Sequence, residues 1–207
     1  MKKSGSLLVG FLLLFLFIAF TFIVHDNLFT RIDFDTTVRI QNHIPRSSDF
    51  IFSILSLVGS AEIISIPLVL ALILRKKLIG IFVIFAYALA HFIELFGKAF
   101  VTHPGPPYLF FRYDIPFLFP TSYVQPGSSY PSGHLMRTMF VSVILTFLIS
   151  KSKFKDTNKL LIYSFIFVFD VLMFISRIYL GEHWLSDVLG GSILGLAFGF
   201  LSLIFLF

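Results

Sequence analysis

The sequence predicts an all-α integral membrane protein, a six-helix bundle, and three observations lead there. Of its 207 residues 57% are hydrophobic and 29 are phenylalanine, a composition that a water-soluble globule of this size would not tolerate. The apolar residues gather into runs long enough to cross a hydrocarbon core of roughly 30 Å. The lysines and arginines behind the net charge of +5 stand in short clusters between those runs, a pattern that membrane topology explains better than nucleic-acid binding. No cysteine is present, so disulfides and thiolate metal ligands are unavailable and the redox compartment is not legible. With no low-complexity segment, evident repeat or separate soluble part, residues 1–207 read as one membrane domain.

The first span covers about residues 7–24, behind Lys2 and Lys3. A cleaved signal peptide is its rival, but the apolar run continues into His25, Asp26 and Asn27 without an A-x-A site, so it reads as a retained anchor. Residues 25–49 interleave acids and bases, and Arg31, Asp33, Asp35 and Arg39 fit a short helix at the membrane surface, read as a solvated connector. The second span runs over about 50–74 and is stopped by Arg75, Lys76 and Lys77; the others cover about 78–97, 133–149, 160–179 and 185–207. If six helices alternate, the basic clusters at Lys2 and Lys3, at 75–77 and at 151–159 share one side with both termini, and the positive-inside rule makes that side cytoplasmic. The loop at 98–131, rich in aromatics (Tyr108, Phe110, Phe111, Tyr113, Phe117, Phe119), then lies extracytoplasmically, as a lid or lateral wall or as a simple interfacial anchor.

Ionisable residues inside spans need partners, since a charge there costs roughly 3 kcal/mol on insertion scales. Glu62 and Asp170 are such residues. Asp170, seven before Arg177, either supports that arginine or sits as a neutral, hydrogen-bonded acid in the bundle. Glu94, four before Lys98, is spaced for an ion pair, while His91 on the same stripe reads as a packing residue. Gly191, Gly195 and Gly199 recur every fourth residue, a small face for close helix approach. Packing inside the bundle is the default use of that face, and a homodimer seam is the alternative.

Chemistry concentrates in Ser176 to Asp187, SRIYLGEHWLSD. His183 and Asp187 are four apart and share a helical face, so the carboxylate can hold one imidazole nitrogen and leave the other as nucleophile or base. Arg177 lies across a turn at Gly181, where a folded-back chain would aim its guanidinium at an anion beside the imidazole. Alone, such a pair only caps a helix. Upstream, however, Pro131-Ser132-Gly133-His134 opens an apolar run in the manner of a helix start whose free N–H groups face an anion. Lys98 is followed seven and eight residues later by Gly105 and Pro106.

These three blocks, in this order, resemble the type 2 phosphatidic acid phosphatase superfamily, whose signature reads K-x6-R-P, P-S-G-H and S-R-x5-H-x3-D. The second and third match completely. The first matches at Lys98 and Pro106 but carries Gly105 where the family has arginine. The resemblance covers roughly residues 50–200. It implies a lipid phosphate or diphosphate phosphatase, and the charge pattern independently puts all three blocks, and so the active site, at the extracytoplasmic face. His183 would attack phosphorus to give a phosphohistidine while Asp187 holds its tautomer. His134 would protonate the departing alkoxide and then activate water. Lys98, Arg177 and the amides of Ser132 and Gly133 would bind the phosphoryl oxygens. The scheme needs no cofactor and no metal; a metal held by His134, His183 and Asp187 is the chemical rival, disfavoured because three nearby cations would repel a divalent ion.

Three residues are candidates to replace the arginine missing at Gly105: His103, Arg112 and Arg137. Arg137 lies three after His134, about one turn into the membrane, where an arginine facing lipid is costly; it is expected to point inward, to the site or to an acid such as Glu62. The expected partners are a lipid phosphate substrate and membrane lipid, not nucleic acid. Polyprenyl diphosphate, phosphatidic acid and phosphatidylglycerol phosphate all fit. A lipid-phosphate-binding protein weakened in catalysis and a lipid phosphotransferase are the competing readings. A channel ranks lower, because the ionisable residues gather at one face and line no path.

Overall fold

The computed structural model describes residues 2–74, 80–117, 119 and 128–207. The basic cluster at Arg75, Lys76 and Lys77, the start of the third predicted span and part of the aromatic loop lie outside the described residues. Among those described, eight α-helices follow one another: α1 (Lys3–His25), α2 (Thr30–His43), α3 (Asp49–Val58), α4 (Ala61–Leu74), α5 (Gly80–Phe100), α6 (Gly133–Ser150), α7 (Asp156–Tyr179) and α8 (Leu185–Ser202). The described residues contain no strand. Five of these helices, α1, α5, α6, α7 and α8, are long and apolar enough to cross a membrane, and α3 with α4 supplies a sixth span if the bent pair is counted as one.

That second span, read from the sequence over about residues 50–74, is broken: it bends by 47° between α3 and α4. The break falls at Gly59 and Ser60, where a side chain on Gly59 would press on Met173 and come within 3.0 Å of the His134 ring. The glycine therefore lets the chain turn directly against the first turn of α6.

The centre of the bundle is α6 against α8. A Cβ on Gly191 or Gly195 would overlap the carbonyl oxygens of Ser132 and Met136, and one on Gly199 would meet Val143 at 2.9 Å. The small face read from the sequence thus seats α6 within the chain, and a self-association seam would need another face. Met136, Phe140 and Ile144 enter the main apolar cluster with Leu194 and Phe198, while Leu135 turns to Met173, Ile178 and Val188. Helix α1 lies on the other side of α8 through Ser6, Gly10, Phe17 and Val24, spaced to share a face, and leaves Leu8, Phe11, Leu12 and Phe15 exposed, as a lipid-facing surface requires.

Helix α2 corrects the connector reading. Asp33, Thr37 and Gln41 recur every fourth residue and are all buried. Gln41 donates to the carbonyls of Phe110 and Tyr179 at 2.7 and 2.8 Å, and Arg112 donates back to the carbonyls of Gln41 and Ile44 at 3.1 and 3.3 Å. The helix clamps the loop after α5 onto the end of α7. Asp170 accepts a hydrogen bond from Ser142 at 2.7 Å, a bonded acid between α7 and α6.

Candidate active site

Six segments deliver polar side chains to one end of the bundle: the end of α5, the loop after it, the start of α6, the end of α7, the turn into α8 and the α3–α4 break. The turn is shaped by Gly181, whose φ of +67° is a left-handed conformation that glycine adopts without strain, and whose missing side chain makes room for the Phe110 backbone. The N–H groups of Glu182 and His183 then both donate to the Arg177 carbonyl at 3.2 Å, which folds His183 back beneath the end of α7.

His183 and Asp187 do meet, with Nδ1 3.4 Å from Oδ2, but not as two residues on one helical face: His183 lies in the turn before α8 and Asp187 in the first turn of that helix. The same Oδ2 accepts the Trp184 N–H at 2.9 Å, so the carboxylate caps α8 and faces the imidazole at once. Burial, followed by the charges of Arg177 and Lys98, holds the His183 pKa well below the usual imidazole range, which leaves the ring neutral with a lone pair available.

The cations are already engaged. Lys98 Nζ lies 2.7 Å from Glu94 Oε1, the i, i+4 pair expected from the sequence. His91, read as a packing residue, instead places Nδ1 2.9 Å from Glu94 Oε2. Arg137 Nη1 is 3.8 Å from that oxygen, its Nη2 is 3.4 Å from His134 Nδ1, and its Nε donates to the Gly59 carbonyl at 3.4 Å. Arg137 therefore does turn inward, and the carboxylate beside it is that of Glu94. Arg177 pairs with Glu182 and donates to Ser56. Sequence reasoning passed over Glu182, although a charged residue directly before His183 in an apolar context was a signal.

The start of α6 corrects one expectation. The Ser132 N–H does not face open space; it donates to the Asp187 carbonyl at 2.9 Å and so ties the first turns of α6 and α8 together. At Gly133 a Cβ would overlap the Glu94 carboxylate, so a bare backbone there lets an anion sit against the helix N-terminus, where peptide dipoles favour it. Glu94 occupies that place, among Lys98, Arg137 and Gly133. His134 Nε2 and Ser132 Oγ are buried with no hydrogen-bond partner among the described residues.

Of the three candidates for the missing arginine, the structure separates two from the site's cations. Arg112 stacks over the Tyr179 ring at 5.1 Å and bonds to α2. His103 faces carboxylates: its Nε2 is 3.4 Å from Asp187 Oδ1 and 3.7 Å from Asp33 Oδ2. Arg137 alone of the three lies beside His134. Among the described residues no three His, Asp or Glu side chains form a group able to hold a metal ion; His183 and Asp187 face each other, while His134 is turned to Arg137.

Comparison with known proteins supplies a frame for this geometry. A family model described as PAP2 superfamily matches residues 79–207. Phosphatidylglycerophosphatase B of Bacillus subtilis (strain 168) is 44% identical over 78 residues, a stretch amounting to 37% of this chain and 38% of that protein. The crystal structure of a transmembrane PAP2 type phosphatidylglycerolphosphate phosphatase from Bacillus subtilis superposes with a TM-score of 0.75 at 24% identity, over 93% of each chain. That of Aquifex aeolicus LpxE gives 0.62 at 25% identity, covering 83% of this chain and 94% of the other.

Proposed function

The chain belongs to the PAP2 superfamily, and from that premise we propose that it is a lipid phosphate or diphosphate phosphatase working through a phosphohistidine. The observation that carries the reading is the gathering of the His183–Asp187 pair, His134 and three cations at one layer of helix ends. Phosphoryl transfer needs an in-line nucleophile, a proton for the leaving oxygen and fixed positive charge around phosphorus, and this set supplies each.

In the proposed sequence an incoming phosphoryl dianion takes the place of the carboxylates on Lys98, Arg137 and Arg177. It draws Arg137 away from His134 Nδ1, so that His134 can hold a second proton. The lone pair on His183 Nε2 forms a bond to phosphorus as the bond from phosphorus to the lipid oxygen breaks, and His134 gives its Nε2 proton to that oxygen. Asp187 stabilises the positive charge arising on His183. The neutral His134 then takes a proton from water, whose oxygen attacks phosphorus; the bond to His183 breaks and inorganic phosphate leaves. Gly133 permits the close approach of the anion to α6. The substrate is amphiphilic because the site opens where helix ends meet the headgroup layer, and phosphatidylglycerol phosphate, phosphatidic acid and polyprenyl diphosphate are the classes to assay.

Purified protein in detergent is expected to release phosphate from at least one of these with EDTA present, and to yield acid-labile, base-stable phosphate on the protein when quenched during turnover. No release from any substrate would favour a lipid-phosphate-binding protein, suggested by the carboxylates already seated on all three cations. Loss of activity with EDTA would point to a metal instead.

The site is proposed to face away from the cytoplasm, with both termini and residues 151–159 cytoplasmic, since Lys151, Lys153, Lys155 and Lys159 mark that end of α6 and α7. In this cysteine-free chain, Ser128→Cys is expected to react with an impermeant thiol reagent in intact cells, and Ser152→Cys only after permeabilisation. Labelling of Ser152→Cys in intact cells would invert the topology.

A further inference from the structure

The loop that carries Gly105 also brings His103 beneath the paired His183 and Asp187, and the hydrogen bonds around it fix what it can do. Its Nε2 lies 3.0 Å from Ser186 Oγ and 3.4 Å from Asp187 Oδ1. Ser186 spends its N–H on Asp33 Oδ1 at 2.8 Å and its only hydroxyl proton on Asp33 Oδ2 at 2.7 Å. Toward His103 the hydroxyl can therefore only accept, and Nε2 must carry the hydrogen. The other nitrogen, Nδ1, is buried with no hydrogen-bond partner among the described residues, which is tolerable for a lone pair and costly for an N–H. One tautomer satisfies the arrangement, with Nε2–H given to Ser186 Oγ and the Asp187 oxygen that His183 does not use 3.4 Å from the same nitrogen.

We propose that His103, set by Asp33 through Ser186, is a positioning residue for Asp187: Oδ1 makes no hydrogen bond among the described residues, and the Nε2–H dipole of His103, 3.4 Å from it, holds that oxygen in place so that Oδ2 stays aimed at His183 Nδ1 and the Trp184 N–H. The inference rests on the proposed role of His183 as nucleophile. Asp187 is fully buried, and a buried carboxylate oxygen with no N–H dipole facing it favours rotation or protonation, either of which releases the imidazole.

The surroundings of His103 hold it in place. Its carbonyl accepts from the Ser129 N–H and hydroxyl at 3.0 and 3.2 Å, the next carbonyl, that of Pro104, accepts the Trp184 indole N–H at 2.8 Å, and its ring stands edge-on to Tyr130 at 6.3 Å. Burial lowers its pKa to about 4, so near neutral pH it is an uncharged donor and not a cation for phosphate. The titratable groups facing it are Asp33 from α2, Asp187 from α8 and Tyr130 before α6, with His183 behind Asp187 and the charge of Lys98 also acting on that carboxylate.

The test compares two amides of different reach. Gln at 103 can place an N–H where Nε2 stands, whereas Asn stops short. On a lipid phosphate that the wild type hydrolyses, His103→Asn is expected to lower kcat about ten- to a hundredfold, the scale seen when a partner orienting a reactive ligand is lost, with KM changed less than about twofold. His103→Gln should return to within about threefold of wild type. Asp33→Asn, which leaves Ser186 without one of its two acceptors, should fall about tenfold. Because losing a facing N–H dipole raises a carboxylate pKa, the acid limb of the kcat–pH profile should move to higher pH in His103→Asn and back in His103→Gln, a change that simple loosening of the fold would not produce. The proposal is overturned if Gln is no better than Asn, if all variants match wild type, or if KM rises with kcat unchanged, which would make His103 a phosphate ligand. His183→Ala, run beside them, separates the two levels: retained turnover there defeats the phosphohistidine reading whatever His103 does.

Discussion

Turnover of His183→Ala is expected to fall below detection, while Asp187→Asn keeps a small remnant, reduced on the order of a thousandfold or more. The alanine variant has no atom to form the bond to phosphorus, and the stabilising groups left behind cannot replace a nucleophile. In the asparagine variant the imidazole remains but its partner is compromised. The amide oxygen in the Oδ2 position can still accept the Trp184 N–H and face His183 Nδ1, 2.9 and 3.4 Å away in the wild type, but without the carboxylate's charge, and the amide NH2 in the Oδ1 position would face His103 Nε2–H, donor against donor. Flipping the amide relieves that opposition but turns NH2 toward His183 and enforces the wrong tautomer, for which comparable triads lose roughly ten-thousandfold. Steady-state kinetics on lipid phosphate, with thermal melts to verify folding, checks both. Asp187→Asn at wild-type activity would show that the carboxylate does no more than cap α8.

The order of spans, the meeting of His183 with Asp187 and the Glu94–Lys98 pair were legible because each depends on residues close in sequence: apolar length, a four-residue repeat on α5, or a turn residue just before α8 facing the carboxylate that caps it. What escaped depends on contacts distant in sequence. The break at Gly59 and Ser60 is an ordinary pair inside an apolar run, tolerated in many straight helices; only Met173, His134 and the reach of Arg137 to the Gly59 carbonyl make it a bend. The short helix around Asp33 was legible, but the burial of Asp33 follows from a partner, Ser186, 153 residues away, and that of Gln41 from the carbonyls of Phe110 and Tyr179. The Ser132 N–H illustrates a different limit. Helix starts leave free donors, and the motif placed this one correctly, yet a neighbouring carbonyl from α8 claims it before any ligand does. Glu94 and Glu182 complete the same lesson: buried cations need counter-charges, and the chain supplies them to Lys98 and Arg177 from the segments that carry those cations.

Arg137→Ala is expected to lower turnover about a hundredfold or more, the scale for losing one preorganised donor to a transferring group, and Arg137→Lys most of that, because an ammonium keeps the charge without the planar fork. The Arg137 residue is almost wholly buried at 2% exposure, and its three polar contacts among the described residues are all long, 3.4 Å or more, so a phosphoryl oxygen brought beside His134 would offer it a shorter partner. Gly105, where the family signature has arginine, has space for a side chain: a Cβ there would meet Ser129 at 3.4 Å, an ordinary contact. Adding Gly105→Arg to Arg137→Lys should therefore restore part of the activity. The competing explanation is that Arg137 only neutralises Glu94, and removing one partner of a buried pair is destabilising in itself. Arg137→Ala combined with Glu94→Gln distinguishes them, since the double variant removes the unpaired charge. If Arg137 serves only the pair, stability and turnover recover together; if it binds the phosphoryl group, the melting temperature recovers while kcat remains low.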